Sequence, residues 1–228
     1  MFFMNQPIYL DSPQAEAALG LCRLDCEGLC EGYLTGDEQR EYAKLSSVTR
    51  KREWLAARVA LKRILLETGG IHSPRSCQID KDRYGCPQLT IAGREEGPSP
   101  CSISHKAGLA AVCVSFRPEI RVGIDVEKIS EKPRRLQHAF AVEEDSIFGI
   151  FEASKYYTLL WACKEAASKV MGLGMLKNFK DMVVTAKEDR SFSVSHDEGR
   201  LIHGRYTFFQ GLAVAVASPL KMIQGNFL

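Results

Sequence analysis

The chain has 228 residues, enough for one large or two small domains. Hydrophobic residues at 45% and charged residues at 25% are ordinary globular values and exclude collagen-like, mucin-like and broadly disordered classes. Lys plus Arg number 30 against 28 Asp plus Glu, a formal charge of +2. That excludes nucleic-acid binding by bulk electrostatics, so any anion site must be local.

The N-terminal residues Met1-Phe2-Phe3-Met4-Asn5-Gln6-Pro7 have no basic n-region and no long apolar h-region, so they do not read as a signal peptide. No apolar run approaches the roughly 20 residues that span a bilayer. A cytoplasmic location without membrane contact is the expectation. Cys22, Cys26 and Cys30 recur every four residues, which on a helix would align three thiols on one face. The second Cys or His pair of a zinc site is missing, so these read as small core residues. In a reducing compartment the remaining cysteines, Cys77, Cys86, Cys101, Cys113 and Cys163, are expected as thiols.

Leu55–Leu66 is helix-forming sequence, with Trp54, Arg58 and Lys62 spaced by four. Gly93–Pro100 reads as a surface connection. Cys101-Ser102-Ile103-Ser104-His105 leads into an apolar run, Gly108–Ser115, typical of a buried strand. Arg117-Pro118-Glu119 then separates a strand over Ala111–Phe116 from one over Arg121–Ile129. In the latter, Ile124 and Val126 fall on one face and Asp125 and Glu127 on the other. Two carboxylates this close repel unless a cation intervenes, and hard oxygen ligands suit Mg²⁺. Alone, the pair is equally readable as a solvated strand face.

Leu159–Met171 is a second helix, on which Trp161, Glu165 and Lys169 share a face. A solvated Glu–Lys pair is the plainer reading, but the Trp in the stripe argues for cover. Lys187–Gly199, around Phe192 and Val194, reads as a hairpin region. Gly211–Ser218 repeats the apolar run of Gly108–Ser115, and Trp161-Glu165-Lys169 follows the spacing of Trp54-Arg58-Lys62. Two ordered matches at nearly one offset predict an α+β pseudo-dimer of similar halves, 1–118 and 119–228, with the active site in the cleft between them.

Ser102-Ile103-Ser104-His105, Gly123-Ile124-Asp125-Val126-Glu127 and Trp161-x-x-Lys164-Glu165-x-x-x-Lys169-x-x-Gly172-x-Gly174 together resemble the 4′-phosphopantetheinyl transferase superfamily, in its larger monomeric class. The resemblance runs from about Lys51 to Ser218. It implies transfer of phosphopantetheine from coenzyme A to a serine of an apo acyl or peptidyl carrier protein, with adenosine 3′,5′-bisphosphate released. It implies Asp125, Glu127 and Glu165 as ligands of Mg²⁺, or of Mn²⁺. Glu165 would also help take the serine proton, and Lys169 would protonate or stabilise the leaving phosphate. Arg58, Lys62, Ser104, His105 and Lys164 would contact coenzyme A. Tyr84-Gly85-Cys86-Pro87 departs from the family's Y-G-K-P turn, since Cys86 replaces a lysine; Lys81 or Arg83 are the candidate substitutes. Leu136–Tyr157 would meet the carrier, with Lys132, Arg134 and Arg135 steering an acidic partner. A non-catalytic carrier binder on the same scaffold and a magnesium-dependent nucleotide hydrolase are the competing readings.

Overall fold

The computed structural model describes residues 2–9, 15–23, 31–82, 85–94, 98–150, 152–174 and 178–222. Two tight turns reveal its plan. Ala107 and Gly108 have φ of 51° and 76°, and Gln210 and Gly211 have 48° and 75°. Two successive left-handed residues twist a two-residue hairpin loop in the same sense as its strands. Each turn therefore joins two antiparallel strands: β5 (Ser99–Lys106) to β6 (Leu109–Ser115), and β11 (Arg200–Phe209) to β12 (Leu212–Ser218).

Around the first hairpin are β1 (Phe2–Tyr9), β2 (Ala15–Arg23), α1 (Gly36–Lys44), α2 (Val48–Glu67), β3 (Cys77–Lys81) and β4 (Pro87–Ile91). Around the second are β7 (Gly123–Lys128), α3 (Glu131–Arg135), β8 (Ser146–Ile147), α4 (Ala153–Met171), β9 (Met182–Ala186) and β10 (Ser191–His196). The sheet orders are β1-β2-β6-β5-β4-β3 and β7-β12-β11-β10-β9-β8. The run β2-β6-β5-β4-β3 has the same order as β7-β12-β11-β10-β9. The α+β architecture of two similar halves follows from this repetition.

Strands β6 and β12 are buried at every residue because both their faces are covered. One face of the first sheet packs on α2, through Ala110, Val112 and Val114. One face of the second packs on α4, through Ala213, Ala215 and Ala217. The remaining faces meet each other, Leu109, Ala111 and Cys113 joining Ile124, Val126, Val214 and Val216 in one apolar cluster. Strand β7 is an edge of its sheet, and its outward N–H groups need partners. Ser102 Oγ accepts from the Ile124 N–H at 3.0 Å and Ser104 Oγ from the Val126 N–H at 3.3 Å. The serines of β5 thereby tie the halves together. No helix among the described residues is long and apolar enough to cross a membrane.

Cys22 is the small core residue expected, buried in strand β2 where the four-residue spacing has no helical meaning; Cys26 and Cys30 lie outside the described residues. Other expectations are corrected. Lys187–Gly199 is not one hairpin: it holds β10 with a turn on either side, in a meander from β9 to β11. The helices pair differently from the Trp-centred spacing. Lys62 Nζ donates to the Tyr33 carbonyl at 2.9 Å and to the Glu38 carboxylate. Lys164 Nζ donates to the Phe140 carbonyl and to Asp145 Oδ2, both at 2.8 Å. Glu38 also accepts from the N–H groups of Thr35 and Ile79, and Asp145 from those of Val142 and Val184. These contacts match, with Lys164 making one more, to the Phe179 carbonyl, so Lys62 corresponds to Lys164 and not to Lys169.

Candidate active site

Strand alternation puts Ile124 and Val126 into the inter-sheet cluster and turns Asp125 and Glu127 toward the α4 layer. Gly123 makes the close approach possible: a Cβ there would stand 2.0 Å from the Ala166 carbonyl oxygen of α4. On α4, Trp161, Glu165 and Lys169 are half-buried and form one stripe beside fully buried neighbours. Lys169 Nζ reaches across to the Ile124 carbonyl at 2.6 Å and to Asp125 Oδ1 at 2.9 Å. Ser104 Oγ donates to that same Oδ1 at 2.9 Å. The other oxygen, Asp125 Oδ2, is buried without a hydrogen-bond partner. A desolvated carboxylate oxygen left unpaired is costly, and it is the kind of atom that a cation would satisfy.

Glu127 is less committed. Its Oε2 meets Lys106 Nζ at 2.7 Å in a partly exposed pair. Among the described residues no three His, Cys, Asp or Glu side chains converge tightly enough to form a preassembled metal cluster. Asp125, Glu127 and Glu165 nevertheless stand on facing elements, β7 and α4, and all are hard oxygen donors. The unpaired Oδ2 and that donor chemistry fit Mg²⁺ or Mn²⁺.

Two cavities lie near β7, one lined by Ser104, the hydrogen-bond partner of Asp125, and one by Glu127. One, of about 340 Å³, is lined by Arg50, Trp54, Arg58, Lys81, Ser104 and His105. Arg58 lies over the Trp54 ring at 3.2 Å, donates to the Ile79 carbonyl at 3.2 Å, and has its Nε 3.6 Å from Glu38. Burial lowers its pKa to about 10, against the opposing pull of Glu38, so it remains a cation at neutral pH. His105 is half exposed, with Nδ1 3.6 Å from the Glu53 carboxylate. The second cavity, about 290 Å³, is lined by Lys106, Glu127, Lys128, Lys132, Leu136 and Trp161. The first cavity is cationic and partly aromatic, and the second is a groove in which Leu136 and Trp161 supply apolar surface.

Lys62 and Lys164 do not line either cavity, contrary to the expectation that both contact coenzyme A. Both are fully buried and paired with a buried carboxylate. Helical spacing had placed them correctly on α2 and α4 but could not tell which layer covers each face. Burial lowers both ammonium pKa values, opposed by the partner carboxylates. Cys86 lines neither cavity; it faces a third one, of about 380 Å³, with Cys101, Arg121 and Lys169. Lys81, one of the two proposed substitutes, does line the Arg58 cavity, whereas Arg83 and Tyr84 lie outside the described residues. The sequence reading missed Arg50, Lys106, Glu38 and Asp145. Only Glu38 carried a signal, the Thr35-x-x-Glu38 capping box that opens α1.

Over 165 residues the chain is 26% identical to the L-aminoadipate-semialdehyde dehydrogenase-phosphopantetheinyl transferase of Schizosaccharomyces pombe. That alignment covers 65% of this chain and 63% of the relative, so it spans less than two thirds of the relative's length. Residues 121–217, which contain β7, α4 and the strand pair β11–β12, match the model of the 4′-phosphopantetheinyl transferase superfamily.

Proposed function

We propose that the chain transfers the 4′-phosphopantetheine group of coenzyme A to a serine hydroxyl of an apo acyl or peptidyl carrier protein. Adenosine 3′,5′-bisphosphate is the other product. The observation that carries this reading is Asp125: a buried carboxylate with one unpaired oxygen, bridged through the other to Lys169 and to Ser104, which lines the cationic cavity.

In this reading Arg58, Lys81, Arg50 and His105 receive the phosphates of the nucleotide end, with the Trp54–Arg58 stack as one wall. Asp125, Glu127 and Glu165 would hold Mg²⁺, with Mn²⁺ as the alternative, which when bound would supply charge neutralisation at the leaving bisphosphate. The carrier serine oxygen bonds to the phosphorus that bears the pantetheine arm, and the bond from that phosphorus to the bridging oxygen breaks. Glu165 takes the serine proton. Lys169, whose ammonium is already held at Asp125, gives a proton or a hydrogen bond to the departing oxygen.

The carrier docks beside the groove. Leu136 and Phe148 are exposed large apolar side chains, 44% and 57% accessible. Lys132, Arg134 and Arg135 on α3 supply positive charge for an acidic partner. Charge reversal at Arg134 and Arg135 is expected to raise the carrier KM; an unchanged KM removes this docking face. Both walls of the cleft come from one chain, which supports a monomer with halves 1–118 and 119–228. A reducing, cytoplasmic setting accords with Cys22, Cys77, Cys86, Cys101, Cys113 and Cys163 being free thiols.

The test is intact-mass spectrometry of an apo carrier protein incubated with the chain, coenzyme A and Mg²⁺. The expected result is a gain of one phosphopantetheine that EDTA or Glu165→Gln abolishes. Coenzyme A cleavage without carrier modification would overturn the reading in favour of a hydrolase. Carrier binding without modification, across fatty-acid, polyketide and peptide carriers, would overturn it in favour of a binder.

A further inference from the structure

We propose that Asp145 is a positioning residue which, through Lys164, sets the orientation of Trp161 and so the wall of the groove beside Glu127. Lys164 has three N–H donors and all are used. They go to Asp145 Oδ2 at 2.8 Å, the Phe140 carbonyl at 2.8 Å and the Phe179 carbonyl at 3.1 Å. With no accessible surface and no donor to spare, Lys164 cannot take a phosphate in this arrangement. Asp145 is equally occupied. Its Oδ2 also accepts from the Val142 N–H at 2.9 Å and its Oδ1 from the Val184 N–H at 2.8 Å.

The two carbonyls that Lys164 grips belong to the residues whose rings hold Trp161. Phe140 meets the indole edge-on at 5.0 Å and 84°, and Phe179 does so at 4.9 Å and 78°. These are favoured aromatic geometries, and together they leave the indole little freedom. Trp161 in turn lines the groove with Glu127 and Leu136. One buried ion pair therefore ties three separate segments, around Phe140, Phe179 and α4, to a single aromatic wall. Asp145→Asn keeps the side chain's shape and a carbonyl acceptor but removes the charge that holds the Lys164 ammonium. The segments carrying Phe140 and Phe179 then lose their common anchor, and the indole turns.

The consequence for transfer rests on the proposed function; the consequence for the indole does not. The chain has two tryptophans, so the indole N–H region of a nitrogen–proton correlation spectrum holds two signals, assigned by Trp54→Phe. In Asp145→Asn the Trp161 signal is expected to shift or broaden while that of Trp54 stays in place. The transfer kcat per folded molecule is expected to fall about ten- to a hundredfold, as misplacement of a reaction wall does. Coenzyme A affinity, which the proposed function assigns to the Arg58 cavity, is expected to stay within about twofold, since neither Asp145 nor Trp161 lines that cavity. A role in folding alone would lower the yield of folded protein without moving the Trp161 signal or the rate per folded molecule, and that result overturns the proposal. If Asp145→Asn does not fold, Phe179→Leu removes one clamping ring and leaves the ion pair intact. It is expected to move the Trp161 signal with a smaller loss of kcat, and an unmoved signal overturns the proposal. If the wild-type chain transfers nothing, the indole signals still decide the positioning role.

Discussion

Helices α2 and α4 each carry a fully buried lysine that grips a carbonyl before the helix and a carboxylate held by a strand N–H. The frame is therefore shared, and the halves differ in what the frame presents. Gly20 pairs with Val112 across β2 and β6, and Cys22 with Ala110. At the same places in the second sheet, Asp125 pairs with Ala215 and Glu127 with Ala213. The first half has a glycine and a thiol where the second has two acids. It contributes instead Arg58, Ser104 and His105. The two halves thus have matching supports but present different side chains, which the proposed function assigns to anion binding on one side and to the acids and Lys169 on the other.

The largest expected break in that division is Asp125→Ala, which gives the second half a small residue like that of the first. Transfer to carrier is expected to fall about a thousand-fold or more, the scale on which a preorganised charge acts. The urea midpoint should fall only modestly: Oδ2 has no partner to lose, and Lys169 and Ser104, which lose Oδ1, keep the Ile124 carbonyl and the Val126 N–H. Single-turnover mass spectrometry and urea unfolding measure the two effects. Next come the shared supports. Glu38→Gln and Asp145→Asn each leave a buried ammonium without its counter-charge and should each cost about 3–5 kcal/mol of unfolding free energy. Equal losses would sustain the structural equivalence, whereas a large loss in one half only would break it.

Smaller again is a contrast between two glycines. A Cβ at position 123 would strike the Ala166 carbonyl oxygen at 2.0 Å, a backbone atom that cannot move alone. A Cβ at position 20 would meet Ile64 Cδ1 at 2.9 Å, the end of a side chain that can turn. Gly123→Ala is expected to cost about 3 kcal/mol or more and Gly20→Ala about 1 kcal/mol, by urea unfolding. The smallest effect is in thiol reactivity. Burial pushes Cys77 and Cys101 up to about 12, whereas Cys86 is half-buried and lines an open cavity. Iodoacetamide at pH 8 should therefore label Cys86 before either of the others, as peptide mapping would record.

Legibility followed burial. The runs Gly108–Ser115 and Gly211–Ser218 could be read as strands because sheets covered on both faces need continuous apolar sequence. The faces of Asp125 and Glu127 were legible because alternation is a property of any strand. The α2 and α4 helices were legible from composition. Their mutual register was not, since Trp54-Arg58-Lys62 and Trp161-Glu165-Lys169 share a spacing but occupy different levels of the frame. What aligns the helices is the pair Lys62–Glu38 and the pair Lys164–Asp145, contacts 24 and 19 residues apart in sequence. No periodicity within one helix reports such a partner. The same limit hid the fate of the two lysines: spacing gives the face, and only packing says whether that face meets solvent or another layer.

The serines of β5 have an effect beyond joining the halves. A strand at the margin of a sheet normally displays a row of open N–H and C=O groups, a template on which another chain can add a strand. On β7 the hydroxyls of Ser102 and Ser104 already occupy the outward N–H groups of Ile124 and Val126, and Lys169 takes the Ile124 carbonyl. The strand that bears the acids is thus closed to strand addition by side chains rather than by another strand. Its register cannot be borrowed by an aggregating neighbour, and the carboxylates it carries stay turned toward α4.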